Sequence, residues 1–416
     1  MGTISKELDE LVHSIAARKI DEDDISGQYE SDPLLARLKE LGSELWIDTG
    51  DLELAKSIWH KELSALTTNN TLANQVVQTG VMDDVIKETV QKLNASSSGW
   101  SADEQVREVG FVINCRIALR LVEAFKVKVS VELHPKVSRD LEATLDYARR
   151  YYKVCPEYFI VKIPLTPEGY LAVRTLRKEG IPINFTLGFS ARQNYLAARL
   201  SNPNYLNVFL GRLNAVVGDN QLGDGSNIGE KVTFATQHAV REAGKQDKQV
   251  TSKLIAASIR NGDQVATLAG VDVQTIPPKA MQEFQQSGRK PENVKNILNT
   301  DLPPGVDTSS GWGRQVERLW QVDEAFKQFV DALVKDGNPD GMTGEDLMQY
   351  CEKSKIDLFH RFSDSDLKKI YDHGKIPKLA DWPESIALDD LMTQSALQSF
   401  TKDQDALDGR IRSFLK

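Results

Sequence analysis

Cysteine is scarce. Cys115, Cys155 and Cys351 are the only three in 416 residues, too few and too far apart for a disulfide framework or a cysteine-rich zinc site. A reducing compartment is implied, so the expected location is the cytoplasm, or a plastid stroma had a transit peptide been removed. The six histidines are scattered, with no pair at the helical spacing of a metal site, so no metal is expected. Positive charge is also short, with 51 Lys and Arg against 60 Asp and Glu and a net charge of -9. That balance argues against nucleic acid or an anionic membrane as a partner, and any anion site must be local. No apolar run approaches the roughly eighteen residues of a membrane span. The stretch Met1 to Glu10 is acidic and polar and lacks the basic-then-apolar order of a signal peptide. No feature of the sequence sets an oligomeric state.

What is present is a core-forming composition, 40% apolar and 27% charged, outside the disordered regime. Residues 1–44 read as an N-terminal helical cap, with Leu8, Leu11, Val12 and Ile15 on one face and a second stretch at Leu34–Leu41. From residue 45 to about 290, short runs rich in Val, Ile, Leu and Phe alternate with longer helical patterns, the form of repeated βα units and a parallel sheet. Eight runs are found: Leu45–Ile47, Ala65–Thr68, Val127–Leu133, Tyr158–Ile163, Ile181–Phe189, Tyr205–Leu210, Lys253–Ile259 and Gly270–Ile276. Eight units predict an α/β fold closed as a (β/α)8 TIM barrel, with an open doubly wound sheet as the alternative. Polar residues at the ends of the runs favour the barrel, whose sites are built there: Asp48, Asn69, Glu132, Lys162, Thr186, Arg212 and Arg260. Period-two alternation puts Ser130 with Glu132, Asn184 with Thr186, Asn207 with Phe209, and Ser258 with Arg260 on common faces. Residues 291–416 lose the strand pattern and read as a helical C-terminal extension packed on the barrel, with amphipathic stretches at Val316–Val334, Thr343–Cys351 and Asp389–Leu415.

Lys162 stands inside Phe159-Ile160-Val161-Lys162-Ile163, where an unpaired ammonium is costly to bury. It either pairs with Glu132 as a structural ion pair or acts as an amine nucleophile that forms an iminium with a ketone or aldehyde. Glu132 and Asp48 could supply the proton transfers of such chemistry, or serve only as ion-pair partners. Arg212 and Arg260 lie where late-strand phosphate sites are common in barrels, and the alternative for each is a structural salt bridge. Two motifs carry less. The run Asp336 to Gly341 matches half a calcium loop, but Leu347 occupies the position that needs a bidentate Glu, so a turn is expected. The stretch Gly223 to Gly229 has no nucleotide fingerprint and reads as a mobile loop.

In order and spacing, the strand-end motifs resemble the transaldolase family. They are Ile47-Asp48-Thr49-Gly50-Asp51, Thr67-Thr68-Asn69, Val129-Ser130-Val131-Glu132, Val161-Lys162-Ile163-Pro164, Gly180 to Ser190 with Asn184 and Thr186, Phe209-Leu210-Gly211-Arg212, Ala257 to Asn261, and Thr275-Ile276-Pro277. The resemblance implies that Lys162 forms a Schiff base, that Asp48 is the acid/base of carbon–carbon cleavage, and that Glu132 with Thr186 holds the water of imine formation and hydrolysis. It implies further that Asn69 orients the enamine hydroxyls, that Asn184, Asn207 and Phe209 line the substrate, and that Arg212 and Arg260 with Ser258 bind phosphate. A dihydroxyacetone unit would pass from fructose 6-phosphate or sedoheptulose 7-phosphate to glyceraldehyde 3-phosphate or erythrose 4-phosphate, in the non-oxidative pentose phosphate pathway, with no metal or organic cofactor.

This chain departs from the family at Asn207-Val208, where Ser and Pro are usual, and at Pro167, where Trp is common. For residues from about 300 to 385 the motifs place no family counterpart. Two other functions stay open: a fructose 6-phosphate aldolase-like enzyme, whose relatives carry Tyr where Phe209 stands, and a sugar-phosphate-binding protein without catalysis.

Overall fold

A computed structural model describes residues 6–27, 29–96, 99–309 and 311–415, so the first five residues of the expected N-terminal cap lie outside the described ones. Eight parallel strands close in sequence order, each paired with the next and the last with the first. They are β1 Glu44–Asp48, β2 Leu63–Thr67, β3 Lys128–Glu132, β4 Phe159–Pro164, β5 Ile183–Thr186, β6 Tyr205–Phe209, β7 Lys253–Ala257 and β8 Val273–Ile276. The barrel, and not the open sheet, is therefore the fold. Its strands are covered on both sides, which explains why they read as continuous apolar runs; every residue of β4 is buried, Lys162 included.

Two runs stop earlier than expected, for one physical reason. Leu187 and Ser258 take left-handed backbone conformations, φ 66° and φ 64°, and so end β5 and β7 where hydrophobicity alone would carry them to Phe189 and Ile259. Ser258 and Arg260 consequently lie past the strand, and period-two reasoning does not apply to them.

The strand register sorts side chains into an inward set. Asp48 pairs with Thr67, Thr67 with Ser130, Glu132 with Lys162, and Lys162 with Asn184. At the N-terminal end of the barrel, Trp46 and Tyr205 meet edge to face with centroids 4.6 Å apart and fill the floor with aromatic bulk. The polar residues stand above that floor, at the C-terminal ends of the strands.

Near the N-terminus, the helix Lys6–Ala16 buries Leu8, Val12 and Ile15 and packs on the long helix Ala102–Phe125, while Pro33–Glu40, capped by Asp32, leads into β1. Among the described residues no strand follows β8. The expected single helix Val316–Val334 is two, Gly311–Glu317 and Glu324–Asp336, because Asp323 caps the second through Phe326 N. Asp336 to Gly341 is a turn, and the Asp340 carboxylate is taken by Arg174 and Lys178, each at 2.6 Å. The glycine-rich stretch is not a free loop: Gly225 N donates to Gly305 O, and Gly305 N donates to Ser226 O. No helix among the described residues is long and apolar enough to cross a membrane.

The last helix, Leu388–Arg412, lies across the mouth of the barrel and is bonded to the segments that follow several strands. Asn70 Nδ2 donates to Gln404 Oε1 at 2.9 Å, Thr71 bonds Asp403, and His134 Nε2 is 3.3 Å from Asp408. Thr393 Oγ1 donates to the Leu187 carbonyl at 2.9 Å. Fully buried Asp389 accepts from Ser190 Oγ at 2.6 Å and from Arg192 Nε and Nη2 at 2.8 and 2.9 Å. Such a pair is sensitive to loss of one partner, because the other charge is left buried and uncompensated. Arg192→Ala is expected to cost about 3–5 kcal/mol in chemical denaturation, whereas Arg199→Ala, at a more exposed pair, should change little.

Neighbouring Asp390 behaves differently. Burial, with the Asp389 charge beside it, pushes its carboxyl up to about 7, although His360 N donates to it at 2.6 Å. A folded-state value raised this far means that the folded protein binds the proton more tightly than the unfolded chain, so this group's contribution falls as pH rises from the ordinary aspartate range through about 7. Asp390→Asn should therefore raise Tm at pH 8 and flatten its dependence between pH 8 and 5.

Candidate active site

Lys162, on the fourth strand, is 3% exposed and points into the barrel mouth. Its Nζ lies 3.1 Å from Glu132 Oε2 and donates to the Thr68 carbonyl at 3.3 Å. The contact with Glu132 is an ion pair without hydrogen-bond alignment, and Oε2 has no hydrogen-bond partner in the structure. Burial pushes the Glu132 carboxyl above the usual glutamate range, partly offset by the Lys162 charge.

Asp48 comes from the opposite part of the same mouth. It accepts from Thr67 Oγ1 at 2.7 Å, and Thr67 Oγ1 is 2.5 Å from Thr275 Oγ1. Since Thr67 donates to Asp48, Thr275 donates to Thr67, and three strand ends are tied together. Burial raises the Asp48 carboxyl above its ordinary range, while Lys162, the Thr67 hydroxyl and Arg260 pull it back. The two carboxyls thus flank one amine, and each binds its proton more tightly than in water.

A second chain of polar groups crosses from β3 to β6. Asn184 Nδ2 donates to Ser130 Oγ at 3.0 Å, Asn207 Nδ2 donates to Asn184 Oδ1 at 2.6 Å, and Thr186 Oγ1 donates to Asn207 Oδ1 at 3.2 Å. All four residues are buried. The larger Asn207 is thus accommodated by bonding both Asn184 and Thr186, and it holds their side chains in one arrangement. Asn69 uses Oδ1 to cap the helix Asn70–Gln78 through Leu72 N, so that oxygen is committed to the backbone.

The cations gather on the other side. Burial and the like charge of Arg260 bring the Arg212 guanidinium down to about 10, with Asp403 and Glu132 opposing. Arg212 Nη1 donates weakly to the Lys375 carbonyl at 3.5 Å, and its guanidinium carbon is 6.0 Å from the Phe209 ring centroid. Gly211 permits the Arg260 side chain and the Ser258 carbonyl to lie against the residue before Arg212: a Cβ there would lie 2.3 Å from Ser258 O and 2.6 Å from Arg260 Nε. Phe209 packs against Phe189 at 5.8 Å. The mouth is not uniformly closed. Lys162, Glu132, Thr186 and Arg212 are buried, whereas Asp48 and Ser258 are partly exposed and Arg260 is exposed, so access is from the side of the first and seventh strands.

The strand-end candidates from Asp48 to Arg260 therefore lie on the barrel strands or just past their C-terminal ends. Sequence reasoning missed Thr275, the Thr68 carbonyl, Phe400 and Asp403. Thr275 stood in the Thr275-Ile276-Pro277 motif at a strand end but was given no role; the last two come from the terminal helix, whose amphipathic pattern marks no site residue. Two clefts of about 690 and 490 Å³ lie elsewhere, beside Glu108 and Arg150 and beside Trp46 and Tyr205. Neither contains the lysine, and the second is at the N-terminal end of the strands, away from where barrel chemistry is placed. Gly211→Ala would set a Cβ against Ser258 O and Arg260 Nε, force both away from residue 211 and cost about 1–3 kcal/mol in denaturation; an unchanged midpoint would show that the close approach is dispensable.

Residues 45–337 match the family described as Transaldolase/Fructose-6-phosphate aldolase. A transaldolase of Xanthomonas euvesicatoria pv. vesicatoria (strain 85-10) is 30% identical over 314 residues, covering 73% of this chain and 94% of its own. One from Prochlorococcus marinus subsp. pastoris (strain CCMP1986 / NIES-2087 / MED4) is 28% identical over 338 residues, covering 78% of this chain and 94% of its own. One from Chlamydia felis (strain Fe/C-56) is 28% identical over 305 residues, covering 69% and 86%.

Proposed function

The chain belongs to the transaldolase/fructose-6-phosphate aldolase family, and within it we propose that this is a transaldolase working through a Schiff base on Lys162. The observation that carries the reading is the buried amine flanked by Glu132 and Asp48 in one mouth. Residues 45–290 would be the catalytic barrel, with 1–44 as its cap and 291–416 as its helical extension.

Lys162, once its ammonium has passed a proton to Glu132, attacks the C2 carbonyl of fructose 6-phosphate or sedoheptulose 7-phosphate. Glu132 then returns that proton, through the water it holds with Thr186, to the carbinolamine hydroxyl, which leaves as water as the iminium forms. Its Oε2, 3.1 Å from the amine and otherwise without a partner, has the reach for that task. Asp48 then removes the C4 hydroxyl proton, the C3–C4 bond breaks into the iminium, and an aldose phosphate leaves. The remaining three-carbon enamine attacks the aldehyde of glyceraldehyde 3-phosphate or erythrose 4-phosphate, Asp48 returns its proton, and water releases the new ketose. The Nδ2 of Asn69 holds enamine hydroxyls, while Asn184 and Asn207 line the donor.

Arg212 and Arg260 repel each other and sit beside Ser258, an arrangement that a substrate phosphate would stabilise. Phe209 lacks the hydroxyl that would assist protonation of the enamine, which favours transfer over a fructose 6-phosphate aldolase-like outcome. The chemistry needs no metal or organic cofactor. The three free cysteines fit a reducing compartment such as the cytoplasm.

Sustained release of glyceraldehyde 3-phosphate from fructose 6-phosphate should require erythrose 4-phosphate; equal turnover without the acceptor would make the enzyme an aldolase. Lys162→Ala and Lys162→Arg should each lose about 10³-fold or more in kcat/KM, because a guanidinium remains charged and cannot attack. Borohydride with fructose 6-phosphate should label the wild type only. Asp48 works as a base when ionised, so activity should fall as pH drops through its raised pKa. The acid limb of kcat/KM should accordingly lie above the ordinary aspartate value of 3.8 and disappear in the residual activity of Asp48→Asn.

A further inference from the structure

One aromatic ring from the far end of the chain stands between the amine and the buried arginine. The Phe400 centroid is 6.0 Å from Lys162 Nζ and 5.6 Å from the Arg212 guanidinium carbon, and the side chain is 3% exposed. Nothing in the strand-end motifs supplies it; it comes from the last helix, at a position held by its neighbours. Thr71 bonds Asp403, Asn70 bonds Gln404, and Ser395 Oγ donates to the Gly374 carbonyl at 3.3 Å. Lys375, next to Gly374, gives its carbonyl to Arg212. The ring is therefore part of a fixed roof over the buried half of the mouth, while the opening lies toward Asp48 and Arg260.

The inference rests on the transaldolase reading above. If the reactive carbonyl is at Lys162 and a phosphate is at Arg212, the carbon chain between them runs past this ring. The ring has no polar atom. It offers its face to the cationic iminium and keeps water from the enamine that remains after the first aldose leaves. The competing loss of that fragment needs two events: a proton must add to the terminal enamine carbon, and water must then add to the C=N bond, so that C–N breaks to give dihydroxyacetone and the free amine. Both need a wet site. We propose that Phe400 is a specificity-determining residue that seals the three-carbon enamine against protonation and hydrolysis until an aldose arrives.

The test uses the full-length protein with fructose 6-phosphate and compares dihydroxyacetone released without acceptor with the rate of transfer to erythrose 4-phosphate. In Phe400→Ala this ratio should rise about tenfold. Phe400→Leu, which keeps an apolar cover, should stay close to the wild-type ratio and guards against a folding defect in the alanine variant. A ratio unchanged in Phe400→Ala, with borohydride labelling of Lys162 retained, overturns the seal and leaves the Schiff-base reading intact. So does a ratio that rises equally in both variants, because bulk and dryness would then not be the cause. Failure of the wild type itself to be labelled overturns both readings.

Discussion

Burial of a charged pair inside an apolar barrel is the constraint on which the rest of this structure depends. Lys162 and Glu132 lie side by side on adjacent strands, where removing either would strand the other in a medium that solvates it poorly. Neither is there for stability alone, since a well-packed apolar pair would serve as well or better. Their environment is made bearable by the Thr68 carbonyl below the amine and by the polar groups of neighbouring strand ends. Closing the barrel in sequence order is what brings those ends to one place.

Around that pair the site divides into two electrostatic halves. The carboxyls of Asp48 and Glu132 are held up by burial, while the arginines are held down by burial, Arg212 also by the Arg260 charge. On the proposed function, an anionic, hydroxylated substrate would relieve both halves, its phosphate neutralising the arginines and its carbonyl and hydroxyl engaging the amine and carboxyls. The terminal helix sharpens the division by roofing the lysine side and leaving the Asp48 and Arg260 side open. Its attachment is itself electrostatic, since buried Asp389 depends on Arg192 and Ser190.

Much of the barrel was legible in the chain because its information is local. An apolar run followed by a charged residue reports a strand and its C-terminal end, and the order of eight such ends reports the family resemblance. Where a left-handed residue intervenes, as at Leu187 and Ser258, hydrophobicity overran the true strand, because an apolar pattern carries no record of φ. Asn207 shows a different limit. The residue change was visible, but its accommodation by bonds to both Asn184 and Thr186 depends on two other strands.

By itself the sequence determined the α/β alternation and the strand-end places of Asp48, Glu132, Lys162 and Thr186. These follow from residue type and period, which are properties of neighbours in the chain. Only the tertiary structure decided that Thr275 reaches Thr67, that Gly211 lets Arg260 lie against the sixth strand's end, and that Phe400 stands over an amine 238 positions earlier in the chain. Those contacts join segments whose separation along the chain has no periodic signature. They exist because closing a ring of strands and laying a helix across it set distances that no local pattern encodes.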